Sequence, residues 1–320
     1  MNSPFSYNFG GLHLHAPWAL PGVLPEAAAA PDLRVELAAG PAPRGQLLYS
    51  WPGRYGLQLA ALGEQFLFHS ARDGAFLISP DAALVTCFAP PGSAVGDAPD
   101  GMLQLLTRRV LPRVAQLHGR TALHGASIML DQHSAMLVLG PSGAGKSTLA
   151  AALQRDCGMA VLSDDISLVD AAARPARCFS VVHGACLWPD SLAALASDDM
   201  VTHALASHDQ KRWRELTRAP VPRMAQLRAV VMLAPDDGAA HAPRLQRLAS
   251  APALVAAMRQ QIRFNPLDLA PQQATMASLA RLLQATPAYA LSYPRAYAAL
   301  PAVAHYVHTS LTLPCSEEIA

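Results

Sequence analysis

Gly140-Pro141-Ser142-Gly143-Ala144-Gly145-Lys146-Ser147-Thr148 lies between an apolar run, Ala135 to Leu139, and an Ala/Leu-rich stretch that reads as a helix to about Asp156. Strand, glycine loop and helix form the local setting that a phosphate-binding loop requires, and every fixed position of the pattern is filled. Glycines at 140, 143 and 145 let successive backbone N–H groups curl around a β-phosphate, and the helix starting near Lys146 adds the positive end of its dipole. The reading assigns nucleotide binding to Gly140, Ser142, Gly143, Ala144, Gly145, Lys146, Ser147 and Thr148. Lys146 is expected to reach the β- and γ-phosphates and Ser147 to ligate Mg²⁺. Composition sharpens this: of the 24 Lys and Arg residues, two are lysines, Lys146 and Lys211. In a chain that uses arginine wherever a cation will do, a surviving lysine marks a place where arginine does not serve.

On the C-terminal side, Cys157-Gly158 stops the helix and a strand from Met159 to Leu162 leads into Ser163-Asp164-Asp165, with Asp164 eighteen residues beyond Lys146. The Leu-Ser-Gly-Gly-Gln signature of a transporter-type ATPase is absent from the sequence. A close acid pair at a strand end is the layout of a kinase, in which one carboxylate works on the metal and the other on the acceptor hydroxyl. Neighbours on a strand point to opposite sides, which permits that division without saying which aspartate takes which part. Asp164 and Asp165 are read as catalytic, with Asp165 joining Ser147 at the metal. Further strands are expected at Ile166 to Val169 and Ala229 to Leu233, and helices at Ala251 to Arg263 and Gln272 to Leu283.

On the N-terminal side, Ala126 to Leu130 pairs naturally with Ala135 to Leu139 across the polar turn Asp131-Gln132-His133. Leu103, Leu106, Val110, Val114 and Leu117 recur at helical spacing, and Pro112 is expected to kink or split that helix. Before it, Leu12 to Leu14, Leu33 to Leu37, Tyr55 to Leu59, Phe66 to His69 and Phe76 to Ile78 alternate like strands between Gly and Pro turns. The fold class is α/β: a small, antiparallel, mainly β module over residues 1–100, joined by a linker from Ala89 to Gly101 to a phosphate-loop domain over residues 101–320.

A chain of 320 residues that is 52% hydrophobic and 15% charged is globular, and a net charge of +1 with 6% aromatics argues against a nucleic-acid partner,. Apolar stretches are interrupted well short of the ~18 residues that a membrane span needs. The first basic residue is Arg34, so a basic signal region is missing and a cytoplasmic protein is expected,. Five scattered cysteines without Cys-x-x-Cys spacing fit reduced thiols,.

Leu123-His124-Gly125, the phosphate loop and Leu162-Ser163-Asp164-Asp165-Ile166 together resemble the catalytic domain of bacterial HPr kinase/phosphorylase. The preceding β module makes the whole chain more similar to HPr-kinase-like proteins encoded beside lasso-peptide and related peptide-modification genes. The resemblance implies ATP and Mg²⁺ as cofactors and a serine of a peptide or small protein as acceptor. It also implies a general base within the Asp164/Asp165 pair and His124 near the transferring phosphate; a homo-oligomer is one form open to the chain, and the sequence leaves the oligomeric state undecided. Thr148 stands where HPr enzymes carry glutamate, and Val182 to Pro189 replaces their Leu-Glu-Ile-Arg-Gly-type segment, so an acceptor other than HPr is expected. In the basic run Ser207 to Arg214, Lys211 and Arg212 are candidate phosphate or substrate contacts on a mobile loop. Two other classes compete with a peptide kinase. One is a small-molecule hydroxyl kinase, although 139 residues before the loop are more than such enzymes use. The other is a nucleotide-binding regulatory protein without transfer activity.

Overall fold

Residues 12, 14 and 16 of Leu12–Ala16 are buried while His13 and His15 between them are half-exposed, and this alternation makes the segment a one-sided strand,. The computed structural model describes residues 5–53, 56–94, 96, 98–196, 201–205, 208–215, 221–233 and 242–312. Nine strands, β1 (Phe5–Phe9), β2 (Leu12–Ala16), β3 (Leu24–Pro25), β4 (Leu33–Leu37), β5 (Gln46–Ser50), β6 (Gln58–Leu62), β7 (Gln65–Ser70), β8 (Gly74–Ile78) and β9 (Leu84–Phe88), form the first sheet. Their order is β3-β1-β2-β4-β9-β8-β7-β6-β5. The antiparallel expectation is corrected here: β2 pairs β4, and β4 pairs β9, in parallel. Long crossovers bring β4 and β9 back in the same direction, which a chain of two-residue hairpins could not do. The strand expected from Tyr55 to Leu59 begins at Gln58, and Tyr55 lies outside the described residues.

The helical run containing Pro112 is distorted rather than broken. α1 (Asp100–Leu105) passes into a π-helical turn, Leu106–Val110, and on into α2 (Leu111–Leu117), with helical backbone at Leu105, Val110 and Leu111. Pro112, which has no N–H, falls just after the ladder has shifted,. The inner faces of these turns do not close a core of their own. Met102, Leu105, Leu106 and Leu111 belong to one apolar cluster with Phe9, Leu33, Phe68 and Phe76 of the first sheet and with Leu168, Phe179 and Phe264 from later in the chain. Phe264 meets Phe66 and Phe68 edge-on, with centroids 5.0 and 5.3 Å apart,. Phe264→Ala should therefore destabilise the protein by about 3 kcal/mol. In urea unfolding it should lower the midpoint of one shared transition rather than uncouple the first sheet.

The second sheet contains β10 (Thr121–Leu123), β11 (Gly125–Met129), β12 (Ser134–Leu139), β13 (Val161–Ser163), β14 (Ser167–Asp170) and β15 (Arg177–Phe179). Between β12 and β13 runs α3 (Lys146–Cys157), closed by Gly158 at φ +69°,. A three-stranded sheet follows: β16 (Ala185–Leu187), then α4 (Pro189–Ala194), β17 (Thr202–Leu205) and β18 (His208–Arg214), in the order β16-β18-β17. The chain then returns to the second sheet with β19 (Met224–Leu233) and β20 (Arg244–Leu248), crosses through α5 (Ser250–Arg259) and α6 (Leu269–Ala285), and ends with β21 (Ala288–Ser292) and α7 (Leu300–Thr312). Leu149, Leu153, Val303 and Val307 of α3 and α7 pack on one face of this sheet; Ala253, Ala257, Leu279 and Leu282 of α5 and α6 pack on the other. This is a helix–sheet–helix sandwich, the α/β class. Among the described residues no helix is long and apolar enough to cross a membrane.

Two features of this sheet set up the site. β12, β19 and β21 are mutually parallel, so their C-terminal ends open on one side. β10 and β11 form one path broken at His124, and β13 and β14 form another broken at residues 164–166. β10 pairs β14 on one side of the breaks and β11 pairs β13 on the other, so the two interruptions face each other.

Candidate active site

The 140–145 loop leaves the C-terminal end of β12 and turns into α3 through Gly143 and Gly145, at φ +81° and +89°, values that side chains other than glycine rarely accept,. Lys146 is 6% exposed, and its ammonium donates to the Gly140 and Pro141 carbonyls at 2.8 and 3.1 Å. Burial pulls it below the usual lysine range, against the pull of Asp164 and Asp165,. In front of the loop lies a cavity of about 550 Å³, lined by Ser142, Gly143, Gly145, Lys146, Ser147 and Thr148 together with His124 and Asp165. Gly140 and Ala144 contribute carbonyls instead, Gly140 to Lys146 and Ala144 to the Arg295 guanidinium.

The acid pair occupies the break after β13, where the Ser163 hydroxyl donates to the Ile166 carbonyl and Asp165 sits at φ +70°. The two carboxylates leave on different errands. Asp164, 2% exposed, accepts the Cys186 N–H at 3.1 Å through Oδ2 and lies on the Ser147 side of the break. Its Oδ1 is buried without a hydrogen-bond partner. Burial, and then the neighbouring Asp165, pushes Asp164 up to about 6. Asp165 lines the cavity, with Oδ2 3.8 Å from Arg109 Nη1 and Oδ1 3.3 Å from His124 Nδ1. Burial works to raise Asp165, but Arg109, His124, Arg108 and Lys211 hold it below the ordinary carboxylate range. Ser147 and Asp165 both line the cavity, and Asp164 lies beside Ser147 from the buried side.

His124 fills the facing break. Its Nδ1 is 2.8 Å from the Asp165 carbonyl, a group that can only accept, so Nδ1 carries the proton,. Burial lowers its pKa, opposed by Asp165 and assisted by Lys146, which keeps the ring neutral near pH 7. The neighbouring backbone is tied elsewhere: the His124 N–H donates to the Gln260 carbonyl at 2.7 Å.

The basic run is a strand, β18, instead of a loop, because it pairs β16 and β17 on its two sides. Lys211 lines the cavity with its ammonium 4.9 Å from the Trp188 ring centroid,. Arg212, opposite Leu187 in the ladder, is exposed and outside the cavity lining. Ser207 lies outside the described residues.

Arg108, Arg109, Cys186, Trp188, Tyr293, Arg295 and Tyr297 line the same cavity and were not singled out from sequence as parts of the site. Arg108 and Arg109 sit on the π-helical turn, which rotates them out of the helical register; Arg108 reaches the Cys186 sulfur at 3.3 Å,. The signal available in sequence was Arg-Arg shortly before Pro112, at the point where the helix had to distort. Tyr293-Pro294-Arg295 had no signal beyond its position after an apolar strand.

The site defines a class in structural terms: an α/β protein with a glycine loop, a buried lysine and two divergent carboxylates at the C-terminal ends of parallel strands. No protein-family model matches the chain, and no curated protein matches it. Among solved structures, the Hpr(Ser) kinase/phosphatase from Coxiella burnetii aligns at 12% identity over 59% of this chain and 97% of that chain, with a TM-score of 0.30. A likeness that loose carries no argument about fold or activity, which rest on the geometry above.

Proposed function

We propose that this protein is an ATP- and Mg²⁺-dependent kinase that phosphorylates a serine hydroxyl on a peptide or small protein. The observation that supports it is the division of the acid pair: Asp164 lies against Ser147 beside the loop lysine, while Asp165 faces the cavity among cationic groups. Ser147 and Asp164 fit Mg²⁺, since a hydroxyl and a carboxylate with one unpartnered buried oxygen are the hard donors this ion combines with phosphate oxygens and water,. Bound there, the ion would neutralise charge on the β- and γ-phosphates.

In this reading the acceptor oxygen attacks the terminal phosphorus while its proton passes to the Asp165 carboxylate. The bond from that phosphorus to the β-phosphate oxygen breaks, and ADP leaves with the electron pair. Lys146, Arg109 and Lys211 offset the charge that builds on the transferring group. His124 holds the Asp165 turn through its Nδ1–H, and His124→Ala should lower turnover on the order of 10²-fold, measured as initial rate at saturating ATP. The serine and the peptide come from the sequence resemblance around His124, the loop and Asp164-Asp165.

The test is mass spectrometry after incubating the full chain with ATP and Mg²⁺, offering serine-containing peptides and, separately, a panel of hydroxylated metabolites. Phosphoserine on a peptide is the expected product. Transfer to a metabolite with peptides untouched would move the protein to the small-molecule kinases. ATP binding without transfer to any acceptor would make it a regulatory nucleotide binder.

A further inference from the structure

One wall of the cavity is made by a segment with no counterpart in the acid-pair chemistry. β21 is parallel to β19 and β19 to β12, so the chain after Ser292 emerges at the same end of the sheet as the 140–145 loop. Ligands of α/β sheets gather at that end. The segment is in contact with the loop itself. The Arg295 guanidinium donates to the Ala144 carbonyl and lies 4.7 Å from the Tyr293 ring centroid. A side chain at position 145 would meet Tyr293 Oη and Arg295 Nη1, both at 3.1 Å. Farther along, the Ser191 hydroxyl bridges Thr148 Oγ1 and Tyr297 Oη at 3.1 Å each, which carries the contact from the first turn of α3 to an aromatic ring that is 43% exposed.

Under the kinase reading, on which this inference rests, the terminal phosphate must lie near Asp165 and Lys146. The nucleoside then has to extend away from Asp165. Trp188 lies on the Lys211 side of the cavity; on the loop side the accessible planes are those of Arg295 and Tyr297, with Leu300 beside them and Tyr293, 4% exposed, backing the guanidinium. We infer that Arg295 and Tyr297, with Tyr293 backing the guanidinium, form a nucleoside subsite that holds the base by stacking. Aromatic rings and a guanidinium plane suit any base, because every base has a π-face. Discrimination between bases needs hydrogen-bonding groups set against their edges. Among the described residues lining the cavity, Asp165 is the one carboxylate and no Asn or Gln is present. The polar groups of the subsite face protein partners: Arg295 Nη1 donates to the Ala144 carbonyl, and the Ser191 hydroxyl sits between Thr148 Oγ1 and Tyr297 Oη. The subsite should therefore accept ATP and GTP nearly alike.

Calorimetry of the full chain with ATP, GTP and inorganic tripolyphosphate, each with Mg²⁺, tests this. The parent should bind ATP and GTP within about threefold of each other, and both more tightly than tripolyphosphate. Tyr297→Ala should weaken both nucleotides about tenfold and leave tripolyphosphate unchanged, while Tyr297→Phe, which keeps the ring and loses the hydroxyl, should retain nucleotide affinity. Tyr297→Ala weakening all three ligands equally, or none, would overturn the subsite. A parent that binds ATP no better than tripolyphosphate would also overturn it while leaving the phosphate loop intact. Binding of none of the three would bring down the kinase reading and the subsite with it.

Discussion

Lys146→Ala is expected to abolish phosphate transfer and to weaken ATP binding by roughly 10² or more, since a charge-assisted contact to phosphate is lost inside a shielded site. Lys146→Arg should fail almost as badly. Lys146 is 6% exposed, and its ammonium fits between two loop carbonyls at 2.8 and 3.1 Å, a space shaped for a compact group rather than a planar fork,. The chain spells nearly all its cations as arginine, 22 by subtracting its two lysines from 24 basic residues, so Lys146 is a departure that the loop geometry explains. Binding and transfer measured side by side decide the matter. Full transfer activity in either variant would remove the loop from the mechanism.

The second large effect separates the two aspartates. Asp165→Asn should cut turnover by about 10³ while ATP affinity changes only a few-fold, because a general base acts in the transition state. Asp164→Asn should also lose most activity, but its stability should rise. Burial lifts Asp164 from 3.8 to about 6, so the folded state holds that proton more tightly than the unfolded chain does,. Stability on this account falls as pH climbs from 3.8 to about 6 and stays lower above it, where the carboxylate is ionised in both states. An uncharged Asn avoids that cost. Asp164→Asn should melt roughly 2 to 4 °C above the parent at pH 8, with the gap closing toward pH 4. A variant that melts lower than the parent at both pH values would show that Asp164 is not a strained buried charge.

Much of the centre of the site was readable in sequence because its pieces are local. The glycine loop, the helix it opens and the acid pair each occupy a few consecutive residues with fixed spacing, and the strand–loop–helix order followed directly. The strands near β12 came within a few residues of their observed bounds for the same reason. Residues recruited by tertiary packing were not readable. Arg108 and Arg109 depend on a π-helical turn, which follows from Pro112 only once the helix is packed against the first sheet. Tyr293 to Tyr297 depend on β21 being placed beside β19, more than fifty residues away in sequence. Which aspartate lies nearer Ser147 was not readable either. Alternation along a strand says that two neighbours diverge, but not which of them turns toward α3. The parallel pairs of the first sheet were hidden because periodicity reports which side is apolar and carries nothing about direction.

The facing interruptions at His124 and at residues 164–166 act as two posts fixed in one frame. Around them the ladders run from β11 to β12, β19, β15, β14 and β10, and β10 continues into β11, so the circuit is closed. The gap cannot widen without tearing backbone pairs in a neighbouring ladder. Amide protons of β11 and β12 should therefore be among the slowest to exchange, even though they border the candidate site. In the proposed kinase, entry and exit fall to parts mounted on the rim: the small β16-β18-β17 sheet that carries Lys211, and the Tyr293–Leu300 segment. The frame keeps acid, imidazole and loop in register.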